Sequence, residues 1–183
     1  MDIRVATDGK PSPSGPRGTL RWKNRKVPCA LGQAGVTAKK REGDGATPAG
    51  RFPLRRVLYR ADRIAPPRTA LPVAPIAPED GWCDDPNHPH YNRQVRLPFD
   101  GGYEPLWRDD HAYDVIVILG HNDSPPRPGA GSAIFLHVAR PAYAPTQGCI
   151  ALALADLLQL LADCKTGDRL SVDVGGGNKG PAS

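Results

Sequence analysis

The chain has 183 residues, with 24 Lys and Arg side chains against 19 Asp and Glu, which gives a formal net charge of +5. This length suits one domain with a real core, and 39% hydrophobic with 23% charged residues argues against a disordered chain. The 20 glycines and 21 prolines exclude a helical bundle and favour short strands joined by ordered loops. The longest apolar stretch, Cys149–Ala162, is interrupted by polar residues and is too short to cross a bilayer, which excludes a transmembrane protein.

The first half of the chain contains a predicted hairpin and one longer strand. Thr19–Lys23 and Lys26–Leu31 both alternate apolar and polar residues, with a tight turn predicted at Asn24-Arg25. Gly32–Gly50 is rich in glycine and charge and is predicted to be a loop. Arg51–Tyr59 follows as a predicted strand.

Three other segments of this half lack a helix or strand period. Residues 1–18 are predicted to form a flexible N-terminal segment. Pro66–Pro78 holds five prolines and is predicted to be an extended loop, because proline fixes φ and lacks the donor of a strand ladder. Trp82–Phe99 is expected to be irregular, since polar side chains are dense there.

The second half is predicted to hold four strands and one helix. In chain order these are a buried strand over Asp114–Leu119, a strand over Ser132–Val138, a short strand over Cys149–Leu152, a helix near Ala155–Ala162 and a closing strand within Gly167–Val174. Gly120–Gly131 between the first two strands is predicted to be a loop. Residues 175–183 are predicted to form a disordered tail.

The charge balance of the chain is only mildly basic. The basic runs Arg21–Lys26 and Lys39-Lys40-Arg41 could contact an anion, although such short runs are more typical of solvated turns. Nucleic-acid binding is not expected, since basic and aromatic residues do not alternate. The opening residues MDIRVATDGKPSPSG have no apolar core, so the chain as given shows no secretory signal.

One cysteine stands in a setting that favours chemistry. Cys149 lies in Thr146–Ile150 (TQGCI), and His137 lies twelve residues upstream at the end of a predicted strand. A free thiol with a pKa of about 8.5 needs a base, and an imidazole with a pKa near ~6.5 can take that proton and return it to a leaving amine. Gly148 would permit a tight turn that directs backbone N–H groups at an oxyanion. From spacing alone, a buried thiol beside a satisfied histidine remains the alternative.

The order of these features resembles that of a known family. His137, the segment Thr146–Ile150, a helix and the Gly167-Asp168 turn into a last strand are similar to the catalytic end of the YkuD-like L,D-transpeptidases. Gly45–Phe52 is similar to the Thr-Pro-x-Gly-x-Phe segment of that family. The resemblance spans roughly Leu20–Val174 and implies a mainly β fold, a β-sandwich or barrel-like catalytic domain over residues 19–174 with one or two short helices.

The resemblance also implies residue roles. Cys149 matches the nucleophile, and His137 matches the general base that a backbone carbonyl, here that of Val138, would orient. The N–H groups of Gly148 and Cys149 would serve as oxyanion donors. Thr146 would hold the loop or donate a hydrogen bond to substrate.

The chain departs from the family at two positions. Val138 follows the histidine where the family often has glycine or serine, and Ala151 stands where the family often has arginine. The missing arginine would help to hold the site or a substrate carboxylate. The chain therefore resembles a divergent branch, in which the chemistry is better defined than the substrate preference.

The implied reaction is a cysteine acyl transfer on peptidoglycan stem peptides, without a metal or organic cofactor. Cys149 would attack the L-centre carbonyl of diaminopimelate in a tetrapeptide stem, release D-alanine and pass the acyl group to the amine of a second stem. Water as acceptor would give an L,D-carboxypeptidase, and a non-catalytic module that binds cell-wall peptide is a third possibility. Such a substrate places the protein in the cell envelope or periplasm, although a cytoplasmic precursor is also possible. The oligomeric state is not readable.

Four further polar residues are candidate substrate contacts. Tyr91 and Asn92 belong to a segment predicted to cover the cleft, and His121 and Asn122 follow a predicted buried strand at a position that often lines a site. The alternatives are plain surface structure for the first pair and a turn for the second, since asparagine favours turns.

A metal site is the weakest candidate. Cys83, His88 and His90 lie close together in the sequence and could indicate zinc. A structural zinc site needs four ligands, and the sequence offers no partner cluster elsewhere. We therefore predict no metal and keep a structural zinc-loop protein as an alternative.

Overall fold

A computed structural model of the chain describes residues 1–8 and 15–174, and the predicted tail at 175–183 lies outside that range. The described residues form fourteen strands and one α-helix, α1 (Leu154–Asp163), together with a short 3₁₀ turn at Pro141–Tyr143. The strands are β1 (Asp2–Thr7), β2 (Arg17–Trp22), β3 (Arg25–Ala30), β4 (Val36–Thr37), β5 (Thr47–Pro48), β6 (Gly50–Tyr59), β7 (Val73–Pro75), β8 (Asp80–Cys83), β9 (Gln94–Arg96), β10 (Tyr103–Pro105), β11 (Val115–Leu119), β12 (Phe135–Val138), β13 (Ile150–Leu152) and β14 (Arg169–Val172).

Eight of these strands close into a barrel-like sheet. Their order is β11, β12, β13, β3, β2, β1, β14 and β6, and β6 pairs back with β11. The ten-residue β6 closes the ring because its first half pairs with β14 and its second half with β11. This arrangement confirms the predicted mainly β, barrel-like fold with one or two short helices.

The N-terminal strand corrects one prediction. Ile3 and Val5 alternate with polar residues and are fully buried between β2 and β14. The prediction of a flexible segment over residues 1–18 is therefore wrong for β1 and for the start of β2 at Arg17, while residues 9–14 lie outside the described range. The predicted hairpin forms as β2 and β3, with the turn at Lys23 and Asn24, one residue earlier than expected.

The sheet separates two apolar clusters. Leu136 and Val138 of β12 belong to the larger cluster, against which α1 packs its leucines. Phe135 points into the smaller cluster, which also contains Cys149 and Tyr113. Because side chains alternate across a strand, β12 places the residues of the predicted site on the side of the smaller cluster.

A small three-stranded sheet covers this second cluster. β8 pairs with β9 and β10, and Trp82 of β8 packs edge-on against Phe135 with ring centroids 5.1 Å apart. Half of the strand residues of this sheet fall in Trp82–Phe99, so the prediction of an irregular segment is wrong for the end of β8 and for β9. The proline-rich segment holds β7, a short edge strand paired with β6. No helix in residues 1–8 and 15–174 is long and apolar enough to span a membrane.

Candidate active site

Two neighbouring parallel strands bring the predicted nucleophile and base together. β12 and β13 pair with His137 opposite Ala151, and Cys149 lies directly before β13. His137 is 5% exposed and Cys149 is 7% exposed. Both line one cavity of about 460 Å³. The departure from the family at Ala151 lies in the sheet itself, where this buried residue also faces Ala30 of β3.

One ring nitrogen of His137 is fixed by the backbone. Its Nδ1 lies 2.9 Å from the carbonyl oxygen of Val138, the carbonyl that the resemblance indicates. Because a carbonyl only accepts, Nδ1 carries the proton and Nε2 keeps its basic lone pair. Burial lowers the pKa of His137 to about 4, and the ring packs edge-on against Tyr113 with centroids 5.3 Å apart. His137 is therefore neutral at neutral pH and able to accept a proton at Nε2.

The thiol of Cys149 is held in its protonated form. Its Sγ donates to the carbonyl of Ala133 at 3.1 Å and accepts a hydrogen bond from the N–H of Phe135 at 3.3 Å. Burial, followed by the negative charge of Glu104, raises the pKa of Cys149 to about 12. The resting pair is thus a neutral thiol and a neutral imidazole, so the proton has to leave sulfur as the substrate is attacked.

Two buried threonines fix the loop of the nucleophile. Thr146 Oγ1 donates to the carbonyl of Cys149 at 2.6 Å and accepts the N–H of Gly148 at 3.2 Å. Thr47 Oγ1 donates to the same Cys149 carbonyl at 3.4 Å and accepts the N–H of Gly32 at 2.8 Å. Thr146 therefore holds the loop, one of its two predicted roles. Thr47 was marked only by the Thr-Pro segment of the family resemblance.

Replacing Gly148 with alanine is expected to destabilise the fold and displace the nucleophile. Its φ is +138°, and an added Cβ would lie 2.9 Å from the carbonyl oxygen of Ala46. We expect a loss of about 2–3 kcal/mol in the free energy of unfolding, measured in urea, because backbone strain and a backbone contact act together.

Gly35→Ala is the matched control for this substitution. Gly35 has a φ of +80° but no atom within 4 Å of the added Cβ, so its replacement isolates the cost of the backbone angle. That cost is expected to be about 1 kcal/mol. Equal losses in Gly148→Ala and Gly35→Ala would show that the contact with Ala46 has no effect.

The cavity is lined by charges of both signs that the sequence motifs do not mark. The basic residues are Lys40, Arg108 and Arg140, and the acidic residues are Glu42, Asp84 and Glu104. Tyr113 donates its hydroxyl proton to Glu104, and Arg108 lies 3.9 Å from the same carboxylate. Burial, with Asp84 and Glu42 as neighbours, raises the pKa of Glu104. These residues come from four separate parts of the chain, so only the folded chain reveals that they share a cavity.

The four predicted substrate contacts lie behind the cavity wall and do not line it. Tyr91 donates to Glu42 and accepts the N–H of Gly131, so it supports a lining residue. Asn92 is buried and donates to the carbonyls of His121 and Asn122 at 3.0 and 2.8 Å. We therefore assign Tyr91 and Asn92 to support of the wall and not to contact with substrate.

The pair that follows β11 is likewise engaged within its own loop. His121 Nε2 donates to the carbonyl of Ala130 at 3.0 Å. The side chain of Asn122 donates to the carbonyls of Arg127 and Gly131 and accepts the N–H of Arg127. The turn interpretation describes both residues better than substrate contact.

The predicted zinc candidates are also separated by the fold. Cys83 is buried in β8, while His88 and His90 stack on each other with centroids 5.5 Å apart. Within the described part of the chain, no three or more His, Cys, Asp or Glu side chains are grouped to hold a metal ion.

Comparison with known proteins identifies one family. The family model of the YkuD L,D-transpeptidase catalytic domain matches residues 16–174. No curated protein and no solved structure gives a significant match to the chain. The match covers all of the chain from β2 to β14 and thus includes every residue that lines the cavity.

Proposed function

The chain belongs to the YkuD family of L,D-transpeptidase catalytic domains, and on this premise we propose that it is a cysteine acyltransferase that cross-links peptidoglycan. The donor is a tetrapeptide stem, cleaved at the L-centre of diaminopimelate, and the acceptor is an amine of a second stem. A peptidoglycan substrate places this reaction in the cell envelope.

The observation that supports this proposal most directly is the shared cavity of Cys149 and His137. The Val138 carbonyl fixes the tautomer of His137 that has a free lone pair on Nε2. A thiol and a neutral imidazole in one cavity are the groups that nucleophilic acyl transfer requires. A module that only binds peptide would have no need of them.

The first half of the proposed reaction forms a thioester. Nε2 of His137 takes the thiol proton while Sγ of Cys149 attacks the carbonyl carbon of diaminopimelate. The tetrahedral intermediate collapses when its carbon–nitrogen bond breaks and His137 returns the proton to the amine of the leaving D-alanine. Because the N–H of Gly148 is engaged by Thr146, we assign the backbone oxyanion interaction to the N–H of Cys149.

The second half of the reaction transfers the acyl group to an amine. The acceptor amine loses a proton to His137, attacks the thioester carbon and releases the Cys149 thiolate, which recovers the proton. The cavity carboxylates Glu42, Asp84 and Glu104 can accept hydrogen bonds from the N–H groups of such an amine. Water in place of the amine would give hydrolysis by the same pair.

Mass spectrometry of the protein with a disaccharide-tetrapeptide tests the proposal, with Cys149→Ala as the control. We expect a cross-linked dimer, loss of D-alanine and a thioester adduct on the wild-type protein, and none of them on the variant. Tripeptide alone would identify an L,D-carboxypeptidase. Unchanged tetrapeptide without an adduct would contradict the proposed reaction and favour a binding module.

A further inference from the structure

A basic side chain reaches the catalytic cavity from the loop between β4 and β5. The side chain of Lys40 is only 6% exposed, and it lines the cavity together with Cys149. Lysines are rarely buried to this degree without an anionic partner. The partner here is Asp44, which accepts a hydrogen bond from Nζ of Lys40.

Asp44 is in turn fixed by the turn that carries it. Its Oδ1 accepts the N–H of Ala46 at 2.9 Å, and its Oδ2 accepts the N–H of Arg41 at 2.8 Å. The carboxylate therefore holds the lysine ammonium in a defined place. In residues 1–8 and 15–174, Asp44 is the one hydrogen-bond acceptor of Nζ, so two of the three N–H bonds of Lys40 are available to a ligand.

The ammonium lies beside the loop of the nucleophile. A Cβ built on Gly148, the residue before Cys149, would lie 3.4 Å from Nζ of Lys40. The positive charge of Lys40 also lowers the pKa of Cys149, against the larger effect of burial. Since Thr146 engages the N–H of Gly148, this loop has fewer free backbone donors for an anion than its sequence suggested.

We propose that Lys40 is an anion-binding residue of this site, whose ammonium stabilises the Cys149 thiolate and the oxyanion of the tetrahedral intermediate. The inference rests on the proposed function in that Cys149 is the nucleophile. A fixed charge acts more strongly here than at the surface, because the side chains of Lys40 and Cys149 are both largely buried. The ligand chemistry that suits Lys40 is one negatively charged oxygen or sulfur close to the Gly148 backbone.

Alkylation of Cys149 with two reagents tests the charge without any peptidoglycan. Iodoacetate is an anion and iodoacetamide is neutral, yet both form the same carbon–sulfur bond and release iodide. The ratio of their rates at Cys149, followed by peptide mass, therefore reports the local charge. We expect Lys40→Met to lower this ratio by about tenfold and Lys40→Arg to retain most of it. Lys39→Met is the matched control, since Lys39 is the exposed neighbour in the same loop.

The pH dependence of the iodoacetamide rate gives a second readout. The charged and titratable groups that share the cavity with the thiol are Lys40, Glu42, Asp84, Glu104, Arg108, Tyr113, His137 and Arg140, and only Lys40 differs between the wild type and Lys40→Met. Loss of its positive charge is expected to lower the iodoacetamide rate at every pH below the Cys149 pKa of about 12, because a smaller fraction of the thiol is then ionised. A merely structural role for Lys40 would leave this rate the same as in Lys39→Met.

Two results would overturn the assignment. One is an equal rate ratio in Lys40→Met and Lys39→Met. The other is a return to the wild-type ratio in Lys40→Met/Asp44→Asn, which would show that an unpaired Asp44 caused the change. A wild-type protein that leaves tetrapeptide unchanged would count against the proposed reaction, while the alkylation ratio would still decide the role of Lys40.

Discussion

Replacing His137 with asparagine is expected to lower the rate of acyl transfer by about 10²–10⁴-fold, the usual contribution of a positioned general base. The asparagine amide can take the place of Nδ1 and donate to the Val138 carbonyl, but it has no group at the position of Nε2. Thioester formation, measured by mass spectrometry in a single turnover, should slow by the full factor. An unchanged rate would remove His137 from the proposed mechanism.

The same substitution is expected to make the fold less sensitive to acid. Burial lowers the pKa of His137 from 6.5 to about 4, so the unfolded chain binds a proton at a pH where the folded chain does not. The contribution of His137 to the free energy of unfolding should therefore be fully present above pH 6.5. It should fall by about 3 kcal/mol as the pH drops towards 4. His137→Asn removes this group, and its loss of stability between pH 7 and 4.5 should be smaller by about 2–3 kcal/mol.

Urea unfolding of the wild type and the variant at both pH values checks this difference. The control is His90→Asn, because His90 is exposed and its replacement removes a histidine without removing a buried neutral ring. The carboxylates that also titrate in this range are common to all three proteins. An equal pH dependence in wild type and His137→Asn would contradict the buried neutral imidazole.

The sequence predicted those strands whose apolar residues follow a clear spacing within the strand itself. The alternating hairpin and the apolar run of β11 could be identified because their apolar spacing marks a strand without further context. β1 was missed although Ile3 and Val5 alternate, since its partner β14 arrives from the opposite end of the chain. β8 and β9 were missed because strands as short as DGWC and QVR show no clear period.

The candidate site was predictable to the extent that chemistry restricts the choice of residue. Cys149 and His137 were found because few residue types serve as nucleophile and base, and the TQGCI segment adds a specific pattern. Lys40 and Glu104 were not found as cavity residues, because a charged side chain in a loop has the same sequence appearance whether it lines a cavity or faces solvent. Asn92 was assigned to substrate for the same reason, since nothing local showed that its amide is used within the fold.

Asn92→Ala is expected to reduce the free energy of unfolding by about 4 kcal/mol, because one buried amide makes four hydrogen bonds. Its Oδ1 accepts the indole N–H of Trp82 at 2.9 Å and the N–H of Ala133 at 3.1 Å. Its Nδ2 donates to the carbonyls of His121 and Asn122. The alanine variant leaves all four partners buried or half-buried without this amide.

The same loss is expected to reach the nucleophile. Asn92 holds the N–H of Ala133, and the carbonyl of Ala133 accepts the thiol proton of Cys149 at 3.1 Å. We therefore expect Asn92→Ala to change the ratio of the iodoacetate and iodoacetamide rates at Cys149, with both rates corrected for the fraction of folded protein. This effect is expected although Asn92 does not line the cavity. Asn92→Asp keeps both acceptor contacts but places a carboxylate oxygen against the carbonyls of His121 and Asn122, so its stability should be no higher than that of the alanine variant.

Urea unfolding of the three proteins and of Asn87→Ala measures the effect. Asn87 is an exposed asparagine in the same segment, and its replacement should change the free energy of unfolding by less than about 0.5 kcal/mol. A loss in Asn92→Ala as small as in Asn87→Ala would mean that water replaces the four bonds. The wall behind the cavity would then be held by the packing of Trp82 against Phe135 and not by the amide.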